Sequence, residues 1–280
     1  MFDFPIKETA QNRKSIRTYT GAPLSSQDKD KIRSYIEYLS TAPSPFEGKV
    51  RIRLFDISGD SEIKNPGTYG VIKNAKTFLG VAAEKCDTAE EAIGYIFEKL
   101  ILYAQSLGLG TCWLGGTYNK SEFAKAMDVK ENELFHIVSP IGYPAPKTHL
   151  INKIMRTAIK ADSRKPWSTM FFDRNFDTPL TENQAGDFAS VLEITRLAPS
   201  ACNKQPWRIV KDGNNFHFYE KREMADENSS FDIQKLDLGI AACHFELAVK
   251  EKGLSGKFIK ADPGLKAPEK TIYLFSWIAE

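Results

Sequence analysis

The stretch PLSSQDKDKIRSYIEYLSTAPS at 23–44 returns 156 residues later, without a gap, as PLTENQAGDFASVLEITRLAPS at 179–200. A repeat constrains a fold more than composition does, because each copy must form the same supersecondary unit. In the first copy Ser25 and Asp28 make a capping-box pair ahead of an apolar stripe at Ile32, Tyr35, Ile36 and Leu39. In the second, Thr181 and Gln184 precede Phe188, Val191, Leu192 and Thr195 at the same spacing. A second ungapped pair supports the first: IGYIFEKLILYAQSLGLG from 93 and LGIAACHFELAVKEKGLSG from 238 align at an offset of 145. Both read as long, strongly apolar helices closed by glycine.

Strand patterns fall between and after these helices. VRIRLF (50–55) and FHFYEK (216–221) alternate, the latter after an Asp212-Gly213 turn signal, and TFLGVAA (77–83), HIVSPIGY (136–143) and TIYLFSWI (271–278) are apolar runs. The expected fold class is α+β and internally duplicated, each unit a mixed or antiparallel sheet flanked by helices. The two long helices are expected at a pseudo-two-fold axis of a covalent pseudo-dimer. The units are expected at 1–168, including a basic tail, and 169–280.

Composition narrows the chemistry. With 42% hydrophobic and 26% charged residues in 280, the chain reads as globular, and no apolar run approaches the 18 residues of a membrane span. MFDFPIKETAQNRKS lacks a basic region followed by an apolar stretch, so no secretory signal is expected and the expected location is cytoplasmic. Cys86, Cys112, Cys202 and Cys243 are scattered without CxxC spacing and are expected as buried thiols rather than disulfides or zinc ligands. No histidine has a His or Cys neighbour at ligand spacing, so no metal is expected. A net charge of +2, from 38 basic and 36 acidic residues well mixed, offers no field for nucleic acid.

Four segments, RKSIRTY (13–19), GLGTCWLGG (108–116), IGYP (141–144) and APSACNKQPW (198–207), resemble the motifs of the FMN-dependent nitroreductase family, in family order. The subgroup most similar has two nitroreductase-like units fused in one chain. The resemblance implies that each flavin touches both units. From the first it implies Arg13, Lys14, Ser15 and Arg17, then Leu114, Gly115 and Gly116. From the tail SRKPWSTMFF (163–172) it implies Arg164 and Lys165, and from the second unit Pro199, Ser200, Ala201, Asn203 and Gln205. The mirror-image set is missing. Glu47, Lys49 and Val50 stand opposite Asn203, Gln205 and Pro206; Lys257, Phe258 and Ile259 stand opposite Cys112, Trp113 and Leu114. One FMN per chain is therefore expected.

These residue types suit that cofactor. Arginine forks match phosphate oxygens, each charge-assisted bond contributing roughly 1.5–3 kcal/mol, so Arg13, Arg17 and Arg164 are the expected clamp, with Ser15 adding a hydroxyl. Glycines at 115 and 116 let backbone N–H groups approach the ring edge. Asn203 and Gln205 offer donors and acceptors to the ribityl and pyrimidine groups, and Lys73 is a candidate cation for flavin N1–O2. Trp113 and Trp207 are expected as packing aromatics. No protein acid, base or nucleophile is required, because the resemblance implies that flavin N5 carries the chemistry. The implied activity is electron transfer from transiently bound NAD(P)H to a small electron-poor acceptor of nitroaromatic, quinone or enone type, by a monomer. A flavin carrier or redox sensor without turnover, or a scaffold that has lost flavin, would use the same fold.

Overall fold

The computed structural model describes residues 4–57, 62–146, 156–224 and 231–280. The chain parts into two compact units, Met1–Ile159 and Lys160–Glu280.

In the first unit, α1 (Ile6–Asn12) leads by an extended segment to α2 (Ser26–Thr41). Ser25 caps α2 by accepting from Asp28 N, but the reciprocal bond of a capping box is absent: the Ser25 N–H goes to the Tyr143 hydroxyl at 3.1 Å. Ile32, Tyr35 and Leu39 are buried, and Ile36 lies half-buried at the edge of the stripe. The antiparallel sheet comprises β1 (Val50–Asp56), β2 (Thr77–Glu84), β3 (Gly110–Thr111) and β4 (Glu133–Gly142), in spatial order β1-β2-β4-β3. Between β2 and β3 runs α3 (Ala89–Ser106), buried on every side from Ala89 to Ala104, its charged residues Glu90, Glu91, Glu98 and Lys99 included. A Schellman pair closes it, Gly108 N to Gln105 O and Leu109 N to Ala104 O, with Gly108 at φ 75°. The short helix α4 (Lys120–Met127) turns Phe123 into a core of Phe55, Phe78, Tyr118 and Phe135.

The second unit repeats that order of strands. β6 (Trp207–Asp212), β7 (Asn215–Lys221), β8 (Gly256–Ile259) and β9 (Thr271–Ala279) lie as β6-β7-β9-β8, first-second-fourth-third along the chain as before. A fifth strand, β5 (Phe171–Asp173), adds to β6 in parallel. The helix ahead of the sheet is broken: α5 (Glu182–Ala185) carries the full Thr181/Gln184 capping box, a 3-10 turn follows, and α6 (Ala189–Arg196) completes it. Gly186, at φ 57°, has a left-handed backbone that no α-helix accommodates, and it sets the break. The stripe survives it, since Phe188, Val191, Leu192 and Thr195 are all buried.

The long helix α7 (Ile233–Glu251) is capped by Asp232, which accepts from Gln234 N and Lys235 N. It closes on a second Schellman pair, Gly253 N to Lys250 O and Leu254 N to Val249 O. All four of these residues stand 145 positions after their counterparts in α3.

The tail from 163 to 172 lies in the second unit rather than the first. There β5 pairs with β6, and Trp167 packs edge-on against Phe171 at 4.6 Å. Cys112 and Cys243 are buried thiols as expected, whereas Cys86 is half-buried and Cys202 exposed. Among the described residues no helix is long and apolar enough to cross a membrane.

The core of the second unit is aromatic: Phe188, Phe216, Phe218, Phe245, Phe258, Phe275 and Trp277 surround one another at centroid distances of 4.7–6.2 Å. Gly256 makes room for it, because a Cβ there would lie 2.2 Å from Trp277 Cζ2 and 2.5 Å from the Ile278 carbonyl. Neither neighbour can yield, one being a fully buried indole and the other backbone. Gly256→Ala is therefore expected to destabilise the protein by about 1–3 kcal/mol or more, read as a lowered midpoint in urea. An unchanged midpoint would refute this packing.

Candidate functional site

The segment Arg13–Thr20 follows α1 as extended chain, and its backbone is held like an inserted strand. Ser15 pairs in parallel with Thr111, and Ile16 N donates to Thr111 O at 2.8 Å. Lys73 N donates to Arg17 O at 2.8 Å, Tyr19 N to Lys73 O at 3.0 Å, and Thr20 N to Tyr143 O at 3.0 Å. Two glycines permit this close approach. A Cβ on Gly110 would meet the Ile16 side chain at 2.7 Å, and one on Gly142 would meet the Tyr19 ring at 3.1 Å.

In extended chain, residues two apart share a face, so Arg13, Ser15 and Arg17 present their side chains together. They converge on Cys112. Burial pushes its thiol up from the ordinary value, and Arg17, a hydrogen bond with Ser15, and Arg13 oppose that shift. Burial is also the largest effect on the Arg13 guanidinium, lowering its pKa. The carboxylate of Glu98 and the Cys112 sulfur act against that, while the like charge of Arg156 adds to it. Glu98 comes from α3, is fully buried, and accepts from Trp113 Nε1 at 3.0 Å. The Arg13 Nε is buried without a hydrogen bond. A guanidinium with an unsatisfied buried donor, in the company of two more arginines and a serine, is a fitting receptor for a dianion.

Lys14 is exposed, whereas Lys73 lies beside the segment and its Nζ is 3.4 Å from where a Cβ on Gly70 would stand. Leu114 is fixed to Val138 by backbone bonds in both directions. Gly115 and Gly116 follow, both exposed and neither at positive φ, and a Cβ on Gly116 would meet nothing within 4 Å. What glycine provides at 116 is thus unobstructed access to the backbone, not a special turn.

In the second unit the loop after α6 is strained. Cys202 (φ 47°), Asn203 (φ 56°) and Gln205 (φ 47°) all adopt left-handed backbones, which cost of order 1–3 kcal/mol each and persist only where surroundings enforce them. The surroundings are specific. Ser200 Oγ accepts from Gln205 N at 2.8 Å, and both Asp237 oxygens accept from Ala201 N, at 3.0 and 3.1 Å. Gln205 is buried, with its Oε1 accepting from Lys165 N and its Nε2 donating to Asn203 O and Oδ1. Asn203 Nδ2 donates to the carbonyls of Lys160 and Ser163. Arg164 donates to the carbonyls of Ala161, Ser163 and Leu197, and Lys165 pairs with Glu223 at 3.1 Å. The amides expected to read a ligand are thus engaged within the loop and its surroundings, and both Arg164 Nη groups are bonded to carbonyls. Pro199 is half-buried at the head of the loop.

Sequence reasoning missed Glu98, Arg156, Cys112 and Asp237. The signal for Glu98 and Asp237 was present, an acid inside an otherwise apolar helical run; nothing in the spacing marked Arg156 or Cys112.

Nitroreductase is the family to which the fold and these segments point. A family model described as "Putative TM nitroreductase" matches residues 5–249, and the chain belongs to that family. A solved structure from Thermotoga maritima, described as a putative nitroreductase, covers 99% of this chain and 94% of its own at 20% identity and a TM-score of 0.60. That likeness shows the fold. An FMN-dependent nitroreductase of Clostridium difficile covers 50% of this chain and 88% of its own, at 20% identity and a TM-score of 0.40. A protein of Bacteroides thetaiotaomicron, described as a putative NADH dehydrogenase/NAD(P)H nitroreductase, covers 52% and 90%, at 21% identity and a TM-score of 0.41. Among curated proteins no match was found.

Behind the strained loop two acids are buried. Glu220, on β7, is fully buried with neither oxygen hydrogen-bonded; Arg222 Nε stands 3.6 Å away. Burial first, then the charge of Asp232, pushes its carboxyl up to about 7, against the pull of Arg222 and Lys235. A carboxyl raised on folding favours the native state below its ordinary value and loses that contribution as pH rises through the raised one. Glu220→Gln, which mimics the neutral acid, is therefore expected to raise stability at pH 8 by on the order of 1–3 kcal/mol. The gain should vanish by about pH 5. Thermal melts at the two pH values check this, and equal gains at both would refute it.

Proposed function

We propose that this chain is an FMN-dependent oxidoreductase that passes electrons from NAD(P)H to a small electron-poor acceptor of nitroaromatic, quinone or enone type. The observation that carries the reading is the buried, unsatisfied Nε of Arg13, set among Ser15, Arg17 and Arg156 in a chain of the nitroreductase family. FMN, when bound, supplies the reversible hydride chemistry; the protein supplies position and charge.

In this reading Arg13, Arg17 and Arg156 hold the phosphate and Ser15 adds a hydroxyl donor. Arg156 takes the place assigned to Arg164 from the sequence, because both Arg164 Nη groups are bonded to carbonyls of their own unit. Lys14, being exposed, adds long-range attraction. Leu114 fixes the turn from which Gly115 and Gly116 offer backbone donors, and Lys73 supplies positive charge for the electron-rich edge of the reduced ring. Pro199, Ser200 and Ala201 present the second unit's contribution. Asn203, Gln205, Arg164 and Lys165 shape that contribution by knitting the loop. Glu98 holds Trp113 and balances the charge of Arg13 before the phosphate arrives.

We further propose that the two units descend from one, a duplication supported by the shared strand order and by Schellman closures on residues 145 apart. With only one complete set of ligating residues, one FMN per chain follows, in a monomer placed where NAD(P)H is supplied, the cytoplasm.

Titration of the purified protein with FMN, followed by flavin fluorescence, should saturate at one per chain. Arg13→Ala should weaken binding by about tenfold to a hundredfold, the loss of one charge-assisted bond. Arg33→Ala, on the exposed side of α2, should not. NADPH should bleach the bound flavin and a quinone restore its colour. No binding at excess FMN would overturn the cofactor; two per chain would overturn the single site; bound flavin that NADPH leaves oxidised would make the protein a carrier.

A further inference from the structure

We propose that Asp237 is a positioning residue for the loop 199–206: its buried carboxylate takes the Ala201 N–H and fixes the turn from which Cys202, Asn203 and Gln205 leave with left-handed backbones. The geometry is direct. Both carboxylate oxygens lie within 3.1 Å of one N–H, and Asp237 is 1% exposed, so water does not compete. Ala201 is the first residue of the 3-10 turn, and the three positive φ angles follow within four residues of it. A bond from a backbone donor to a carboxylate is roughly twice as strong as one between neutral partners, which suits it to hold strained chain in place.

The other half of the protein provides an internal comparison. Under the 156-residue offset Ala201 corresponds to Pro45, which has no N–H, and under the 145-residue offset Asp237 corresponds to Ala92, which has no acceptor. Donor and acceptor are absent together in the half whose loop lacks counterparts of Asn203 and Gln205. In that half Glu47 N instead donates to the Thr88 hydroxyl at 2.9 Å.

The hold depends on charge, and Asp237 sits among groups that oppose its charge. Burial first, and then the charges of Asp232 at the cap of α7 and Glu220 on β7, raise its pKa well above the ordinary value; the Ala201 N–H is what favours its ionised form. Arg222 and Lys235 partly offset Glu220. The loop is therefore firmest at high pH and loosens as pH falls and Asp237 takes a proton.

The effect on the loop stands by itself, whereas its effect on cofactor affinity rests on the FMN reading above. Amide hydrogen exchange of Ala201–Gln205, expressed as protection factors from pH 5 to 9, tests the first; FMN affinity by fluorescence tests the second. Asp237→Asn should lower protection of the Ala201 amide about tenfold at pH 8 and flatten its pH dependence, and should weaken FMN by a similar factor. Glu220→Gln should keep the loop protected to lower pH than in the parent protein. Should Asp237→Asn fail to fold, Ala201→Pro removes the donor instead; Ser200, at φ −147° and ψ 160°, already has the extended backbone that a residue before proline requires. Its loop residues from Cys202 to Gln205 should then lose protection. Unchanged protection and an unchanged pH profile in either variant would overturn the proposal. Lost protection with unchanged FMN affinity would leave Asp237 as the loop's anchor and count against the loop's part in flavin binding.

Discussion

Chain without helix or strand of its own must still find a partner for each N–H and C=O it buries. Both segments that matter most here are of this kind, and the two units meet the demand differently. Arg13–Thr20 borrows a ladder, bonding its backbone to Thr111, Lys73 and Tyr143. Its side chains are consequently left over, and the alternation of extended chain puts Arg13, Ser15 and Arg17 on one face. The loop 199–206 has no ladder to borrow. It is built from side chains, with Ser200, Asn203, Gln205 and Asp237 bonding backbone groups in and around it.

Buried charge follows the same division. In the first unit the charge gathered around Cys112 is positive, with Arg13 and Arg17 beside it, Arg156 close to Arg13, and Glu98 as partial counterweight. Such a cluster is stabilised by an arriving anion and strained without one. In the second unit the excess is negative, with Glu220 and Asp237 buried side by side on β7 and α7. Here nothing need arrive, because one of the two can keep its proton and the other can serve the Ala201 N–H.

Much of the architecture was legible in the sequence because periodicity and capping are local. The offsets of 156 and 145 located both pairs of helices, and each expected strand run lies within an observed strand to within one residue. The break at Gly186 was not legible, since a stripe of Phe188, Val191, Leu192 and Thr195 is kept whether or not the helix continues. Gly110 read as part of a helix ending; its reason is the Ile16 side chain, a contact ninety-four residues away in sequence that no local pattern encodes. Asn203, Gln205 and Arg164 were expected as ligand contacts, and in the structure they bond groups of their own chain. Amides and guanidinia that can bind a ligand can equally bind carbonyls of the same chain, and only coordinates distinguish the two. Arg156 and Asp237 become visible only when the fold brings α1 and the 3-10 turn at 201 to them.

The parallel strand β5 has a meaning beyond the loop whose neighbour it is. Three residues, Phe171–Asp173, occupy the outer hydrogen-bonding rim of β6, opposite Ile209, Val210 and Lys211. Stripped of that cover, β6 would offer an unpaired row of donors and acceptors backed by buried Trp207, Ile209 and Val210, a template on which another molecule could stack. The segment 160–173 thus serves solubility as well as the neighbouring turn. Damage to it by a protease or a substitution would reach the bench as inclusion bodies and poor yield before any change in chemistry could be measured.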